Sequence, residues 1–314
     1  MRKSWICLLA VLVVIAAGCL FLSLPAPSAP VREPVLVGFI NIADGRIFSG
    51  SLQRRFADLA VQNPELQVVY CDGQGKASVQ NQRIHDLLDQ GAKVIVLMAA
   101  DPVDVLTGLQ EAHAAGVPVI TLNIRCYGGA SIYVGVEDYD AGWQQGEYMC
   151  DHLHPGGTVA YISGPQKILS AQQRLRGFTD ACLLRRPDIH LQAFAESAYD
   201  SQEQAADIMR SWLRQGLQPD AVVGGNDEIA IGAWKALKEM GHGKGVLISG
   251  IDATSEARDL IRAGYMAQSV RQDSAGEAQE AYQVLLQILQ DQNANPEDVI
   301  VPFVSLTREN VDDF

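Results

Sequence analysis

Residues 223–233 read VGGNDEIAIGA: the end of an apolar run, two glycines, three polar residues, then the start of an amphipathic stretch. The passage is a strand handing over to a helix. Residues 221–225 (AVVGG) are short and mostly apolar, whereas 227–240 repeat their apolar residues at helical spacing. A strand buried on both faces is apolar throughout, so polar residues collect where the chain leaves the sheet.

The same handover recurs along the chain. Strand runs are expected at 35–40 (VLVGFI), 66–71 (LQVVYC), 93–98 (KVIVLM), 118–123 (PVITLN), 131–136 (SIYVGV), 158–163 (TVAYIS), 190–195 (HLQAFA), 221–225, 245–251 (GVLISGI) and 265–270 (YMAQSV). Helical spacing is expected near 49–62, 77–90, 104–115, 140–153, 170–184, 202–215, 227–240, 254–263 and 275–291, several followed by Gly or Pro such as Gly91, Gly116, Pro118 and Gly241. Repeated βαβ units imply an α/β fold with parallel, doubly wound sheets. The elements are too many for one comfortable sheet, which predicts two similar lobes.

Lys and Arg number 24 against 37 Asp and Glu, a formal charge of −13. An acidic surface of that kind disfavours nucleic acid as a partner. The N-terminus, MRKSWICLLAVLVVIAAGC (1–19), has a basic start, an uninterrupted apolar stretch and small residues before Cys19, the anatomy of an export signal. Residues 16–19 (AAGC) resemble a bacterial lipoprotein processing site, with Ala16 where Leu is usual and Cys19 as the lipidated residue. Cleavage after Ala29 and an uncleaved apolar membrane anchor remain open beside it. All three place the folded part in the periplasm or on the outer face of the cell membrane. Residues 20–34 form a Pro-rich tether.

Four cysteines remain in the folded region: Cys71, Cys126, Cys150 and Cys182. None has CxxC spacing, and each lies at an apolar strand end or in a helical pattern, so buried free thiols are expected ahead of the three possible full pairings. Six scattered His show no ligand spacing, and no metal or cofactor is expected.

In doubly wound sheets ligands bind beyond the carboxyl ends of the strands. Those ends carry Asn41, Asp44, Arg46 and Phe48; Asn123 and Arg125; Asn226 and Asp227; Asp252; and Arg271 and Gln272. Carboxylates, amides and guanidinium groups pair with vicinal hydroxyls, and aromatic faces cover the C–H side of a sugar ring, so the set reads as a polyol site. Asn or Asp at such a junction is also a common helix cap. Capping leads for Asp227, and ligand contact leads for Asn226 and Asp252. DGQGKAS (72–78) lacks P-loop spacing and reads as a turn with a helix cap at Ser78.

VPVITLN (117–123), QRLRGF (173–178), GGNDEIAIGA (224–233) and GIDATSEA (250–257), in this order and on these elements, resemble the type I periplasmic sugar-binding proteins, the ribose- and galactose-binding group. The resemblance runs from about Val35 to Thr307. It implies two lobes, 35–136 plus 273–300 and 137–272 plus 301–314, joined by hinge crossings near 136–138, 272–273 and 301–302. It further implies ligand contacts at Asn226, Asp252 and Gln272, with Tyr199 closing over the ring and Phe48 stacking on it. Departures are as informative. Where Asp-Arg is usual after PVITL this chain has Asn123-Ile124-Arg125, and the family's ligand-binding Arg is replaced by Gln172. Arg174 matches a second Arg that is structural, and Asp44 and Arg46 replace small polar and aromatic residues of the first loop. These changes point away from ribose itself toward another sugar or polyol.

The resemblance therefore implies a monomeric solute-binding protein that delivers a small carbohydrate to an ABC permease. The alternative in another class is a ligand-sensing co-receptor for a chemoreceptor or sensor kinase. An enzyme is not expected, because there is no G-x-S-x-G and no phosphate-cradling loop.

Overall fold

The computed structural model describes residues 34–314 except 129, 200, 292, 293 and 295. The export segment, Cys19 and all of the tether but Pro34 lie outside the described residues. Among the described residues no helix is long and apolar enough to cross a membrane.

The chain builds two six-stranded sheets. The first contains β1 (Val35–Asn41), β2 (Leu66–Asp72), β3 (Val94–Leu97), β4 (Val119–Leu122), β5 (Ile132–Gly135) and β11 (Val299–Ile300), in the order β11-β5-β4-β3-β1-β2. The second contains β6 (Thr158–Ser163), β7 (His190–Glu196), β8 (Ala221–Gly224), β9 (Leu247–Ile251), β10 (Gln268–Arg271) and β12 (Val304–Leu306), in the order β12-β10-β9-β8-β6-β7. All pairings in the first sheet are parallel. In the second only β10 and β12 run antiparallel. The expected α/β architecture of two doubly wound sheets is thus present.

Central strands are short and apolar but for Thr121 of β4 because helices cover both faces: every residue of β3 and β4 is buried. On the first sheet, α1 (Ile47–Ala60) and α9 (Ser274–Gln290) close one core with Phe39, Phe56 and Tyr282, and α2 (Ala77–Asp89) and α3 (Leu106–Ala114) close the other around Ile84, Leu87 and Leu109. On the second, α4 (Asp138–His152) and α5 (Leu169–Phe178) cover Tyr161 and Phe178, and α6 (Gln202–Arg214), α7 (Asp227–Glu239) and α8 (Ser255–Arg262) cover the opposite face. The chain changes sheet after β5, after β10 and after β11. A small apolar cluster of Val136, Ala141, Ile251, Val270, Val301 and Phe303 packs at those crossings.

Several boundaries differ from the sequence expectation. β11 and β12 are two and three residues long, too short to leave a periodic pattern, and exist through pairing with β5 and β10. The helix expected over 170–184 ends at Phe178 and continues as a π turn, Thr179–Leu183. Residues 265–267 precede β10 because Met266 packs into the helical core of that lobe. Ser78 does not cap α2: the helix starts at Ala77, and Lys76 at the cap position makes no side-chain bond. The four cysteines are free thiols, with Cys126, Cys150 and Cys182 buried and Cys71 half-buried.

Candidate functional site

α4 and α5 cross so closely that a Cβ at Gly142 would collide with the Arg174 carbonyl oxygen, and one at Gly177 with that of Tyr139. This glycine contact brings the start of α4 against α5. As a result Arg174 Nε donates to Asp138 Oδ1 at 2.8 Å, and Nη1 donates to the Gly225 carbonyl at 2.9 Å. The guanidinium also lies 5.6 Å from the centre of the Tyr199 ring. Arg174 is therefore the salt-bridge residue its motif position suggests, and it stands beside candidate ligand residues.

The 223–233 handover resolves against the capping expectation. Asn226, not Asp227, caps α7: its Oδ1 accepts from the Ile229 N–H at 3.0 Å, and its Nδ2 donates to the Tyr199 carbonyl at 2.8 Å. Asp227 is fully buried, accepting from Ser269 Oγ at 2.6 Å and from the Thr254 N–H at 2.7 Å. That bracket ties three strand ends together and holds 252–254 in place.

Asp252 has φ 112°, a conformation that side chains rarely adopt, and Ala253 follows at φ 50°. The surroundings enforce it: the Asp252 N–H donates to the Val270 carbonyl and the Ala253 N–H to Ser269 Oγ. Burial pushes the Asp252 carboxyl up to about 6, Asp138 and Glu228 adding to the rise, while Arg174 and a bond from Asn226 oppose it. Burial, with Asp252 adding, raises Asp227 as well.

A second group forms at the crossings. Asn123, at φ 67°, donates from Nδ2 to Glu277 Oε2 at 3.1 Å, and Gln272 Nε2 donates to Glu277 Oε1 at 2.9 Å. The Tyr133 hydroxyl contacts the Asn123 and Val136 carbonyls and accepts from the Val136 N–H. Burial pushes Glu277 up to about 8 against its two amide bonds. Sequence reasoning passed over Glu277. Its signal is a charge on the apolar stripe of α9, which continues through Ala278, Ala281, Leu285 and Ile288. Gln80 was also missed: it is buried and bonds the ends of β1 and β3 through the Asn41 and Met98 carbonyls and the Ala100 N–H.

Of the residues singled out from sequence, the structure joins Asn123 with Gln272 through Glu277, and Tyr199, Asn226 and Asp252 around Arg174. Phe48 is half-buried against the core of the first lobe, and Asp44 is exposed on the loop after β1. Arg125 is engaged elsewhere, by Asp298 and Glu137 and over the Tyr133 ring. Gln172 is exposed on α5 and donates to the Gln166 carbonyl in the loop before that helix at 2.6 Å. Among the described residues no cluster of His, Cys, Asp and Glu has metal-binding geometry. The arrangement offers buried hydrogen-bond donors and acceptors beside an aromatic ring, which is chemistry for holding a polar ligand.

Residues 37–293 match the periplasmic binding protein domain. A putative rhizopine-binding protein of Rhizobium meliloti is 28% identical over 77% of this chain and 80% of its own length. A xylitol-binding protein of Mycolicibacterium smegmatis is 26% identical, covering 79% of this chain and 70% of its own. An ABC transporter solute-binding protein from Bacillus halodurans, solved with bound myo-inositol, superposes with a TM-score of 0.83 over 91% of this chain and 98% of its own. At 24% identity that last likeness speaks to the fold.

Proposed function

This chain belongs to the periplasmic binding protein domain family, and from that premise we propose that it binds a small carbohydrate or sugar-like polyol between two lobes and delivers it to an ABC importer. The observation that carries the reading is the grouping of Tyr199, Asn226 and Asp252, which follow the carboxyl ends of β7, β8 and β9, around the Arg174–Asp138 pair. Two relatives are named for binding rhizopine and xylitol, which supports a polyol in place of an amino acid or peptide.

In this reading the lobes are 35–136 plus 273–300 and 137–272 plus 301–314, and the crossings after β5, β10 and β11 act as the hinge. Asn123, Tyr199, Asn226, Asp252 and Gln272 line the cleft, with Phe48 and Asp44 at its lip. The folded part works outside the cytoplasm, tethered through its N-terminal segment.

Thermal unfolding against pentoses, hexoses, inositols, linear polyols, nucleosides and amino acids tests the proposal. A ligand at one hundred times its Kd stabilises by about 2.7 kcal/mol. A selective shift with one carbohydrate or polyol is expected. A shift with amino acids or nucleosides alone would refute it.

A further inference from the structure

Glu277 sits fully buried in the first turn of α9, on the stripe that packs into the core. A carboxyl in such a place is costly unless its oxygens are hydrogen-bonded, and both are: one by Gln272 and one by Asn123. The partners come from different parts of the chain, one from within the first sheet and one from the crossing after β10. Asn123 follows β4, beside the Tyr133 and Val136 turn that leads out of the first sheet, and Gln272 follows β10.

An amide that donates its N–H2 to a carboxylate is oriented by that bond, and its carbonyl oxygen faces the other way. Asn123 Oδ1 and Gln272 Oε1 accept no bond among the described residues, and neither is sealed from solvent. The carboxylate therefore leaves two acceptors open where the lobes meet.

We propose that Glu277 is a positioning residue for the ligand: by turning the Asn123 and Gln272 amides it makes the hinge side of the cleft a pair of acceptors, which selects a polyol edge with two hydroxyls free to donate. The inference rests on the cleft being the ligand site. Glu277 touches the two amides and acts through them.

The geometry has a titration consequence. Burial places the Glu277 carboxyl near 8, and the charged and titratable groups acting around it are Asp138 at the start of α4, Asp273 at the cap of α9 and Tyr133 of β5. A protonated carboxyl carries one O–H that must donate, and an amide oxygen turned to accept it swings an N–H2 toward the cleft. Loss of the proton restores both carbonyls to the ligand. Affinity for a hydroxyl-donating edge should rise as pH climbs through 8.

Calorimetric titration of the folded chain with neutral probes, myo-inositol, xylitol, D-ribose and D-galactose, between pH 6 and 9.5 tests this. For each probe that binds, the expected result is a roughly tenfold gain in affinity from pH 7 to pH 9, one hydrogen bond's worth. Glu277→Gln accepts from only one amide and does not titrate; it should bind about tenfold more weakly at pH 9, with a profile flat from pH 7 to pH 9, where Asp252 is already ionised. The wild-type profile needs no variant to fold, and a flat one overturns the inference, as does a Glu277→Gln protein indistinguishable from wild type. A polyol that the thermal panel identifies joins the probes, and failure of the whole panel at every pH would instead remove the binding-site reading itself, and the inference with it.

Discussion

Arg174 donates through Nε to Asp138 Oδ1 at 2.8 Å, with the two side chains only 8% and 16% exposed. A pair this secluded gains little over an apolar pair of the same shape, but either member left alone is a buried charge without its counter-ion. Asp138→Ala should therefore cost about 3–5 kcal/mol in urea denaturation. Replacing both, as Asp138→Leu with Arg174→Met, should recover a large part of that loss. A single variant within about 1 kcal/mol of wild type would show that the pair is solvated in solution.

The buried carboxyls set the pH dependence of stability. Glu277 is raised from 4.5 to about 8 and Asp252 from 3.8 to about 6, each chiefly by burial. A raised carboxyl means that the folded chain keeps a proton the unfolded chain has already released. Stability is then full below the unfolded value and is lost as pH rises to the folded one, at up to about 1.4 kcal/mol per pH unit for each proton. Urea midpoints should fall between pH 5 and pH 8, and Glu277→Gln should flatten the part between 6 and 8. An unchanged slope in that variant would place the Glu277 carboxyl in water.

Asn226 holds the end of α7 and the Asp252 carboxyl at once. Asn226→Asp keeps the capping oxygen but loses the N–H2 that donates to the Tyr199 carbonyl, and it sets a second carboxylate beside Asp252. The variant should be somewhat less stable than wild type near pH 4–5, through the lost bond to Tyr199, and the deficit should grow by about 2 kcal/mol by pH 8 as the two carboxylates ionise side by side. An equal deficit at both pH values would mean the two carboxylates are screened from each other. Thermal unfolding at the two pH values reads the difference.

What could be foreseen in this molecule follows from where the information is local. β3 and β4 are legible because a strand buried on both faces reads as a nearly continuous apolar run. β11 and β12 are not, since two or three residues carry no period and pairing with β5 and β10 defines them. Asn226 and Asp252 stand out as polar residues at strand ends. Which of Asn226 and Asp227 caps α7 was settled by contacts with Thr254 and Ser269, far along the chain. The Arg174–Asp138 pair spans 36 residues and depends on a glycine crossing that no periodicity reveals. Arg125 looked available for a ligand until its partner Asp298, 173 residues on, was placed beside it.

Asp252 combines a rare backbone conformation with a buried carboxyl, two features that oppose stability and that persist only where the surroundings enforce them. Glycine adopts φ 112° without the steric cost, which is about 1–3 kcal/mol for a residue with a side chain, and it removes the desolvated carboxyl. Asp252→Gly also loses the bond to Asn226 and allows the unfolded chain more freedom, which offsets part of the gain. The net expectation is a protein about 1 kcal/mol more stable at pH 8, where the wild-type carboxyl is ionised, with most of that advantage gone at pH 5. The same variant should lose affinity at least tenfold for whichever polyol stabilises the wild type, since a ligand hydroxyl loses a charged acceptor. Denaturation and calorimetric titration on one preparation read both effects. A variant that is less stable at both pH values, or that binds as tightly as wild type, would separate the strained conformation at 252 from ligand binding.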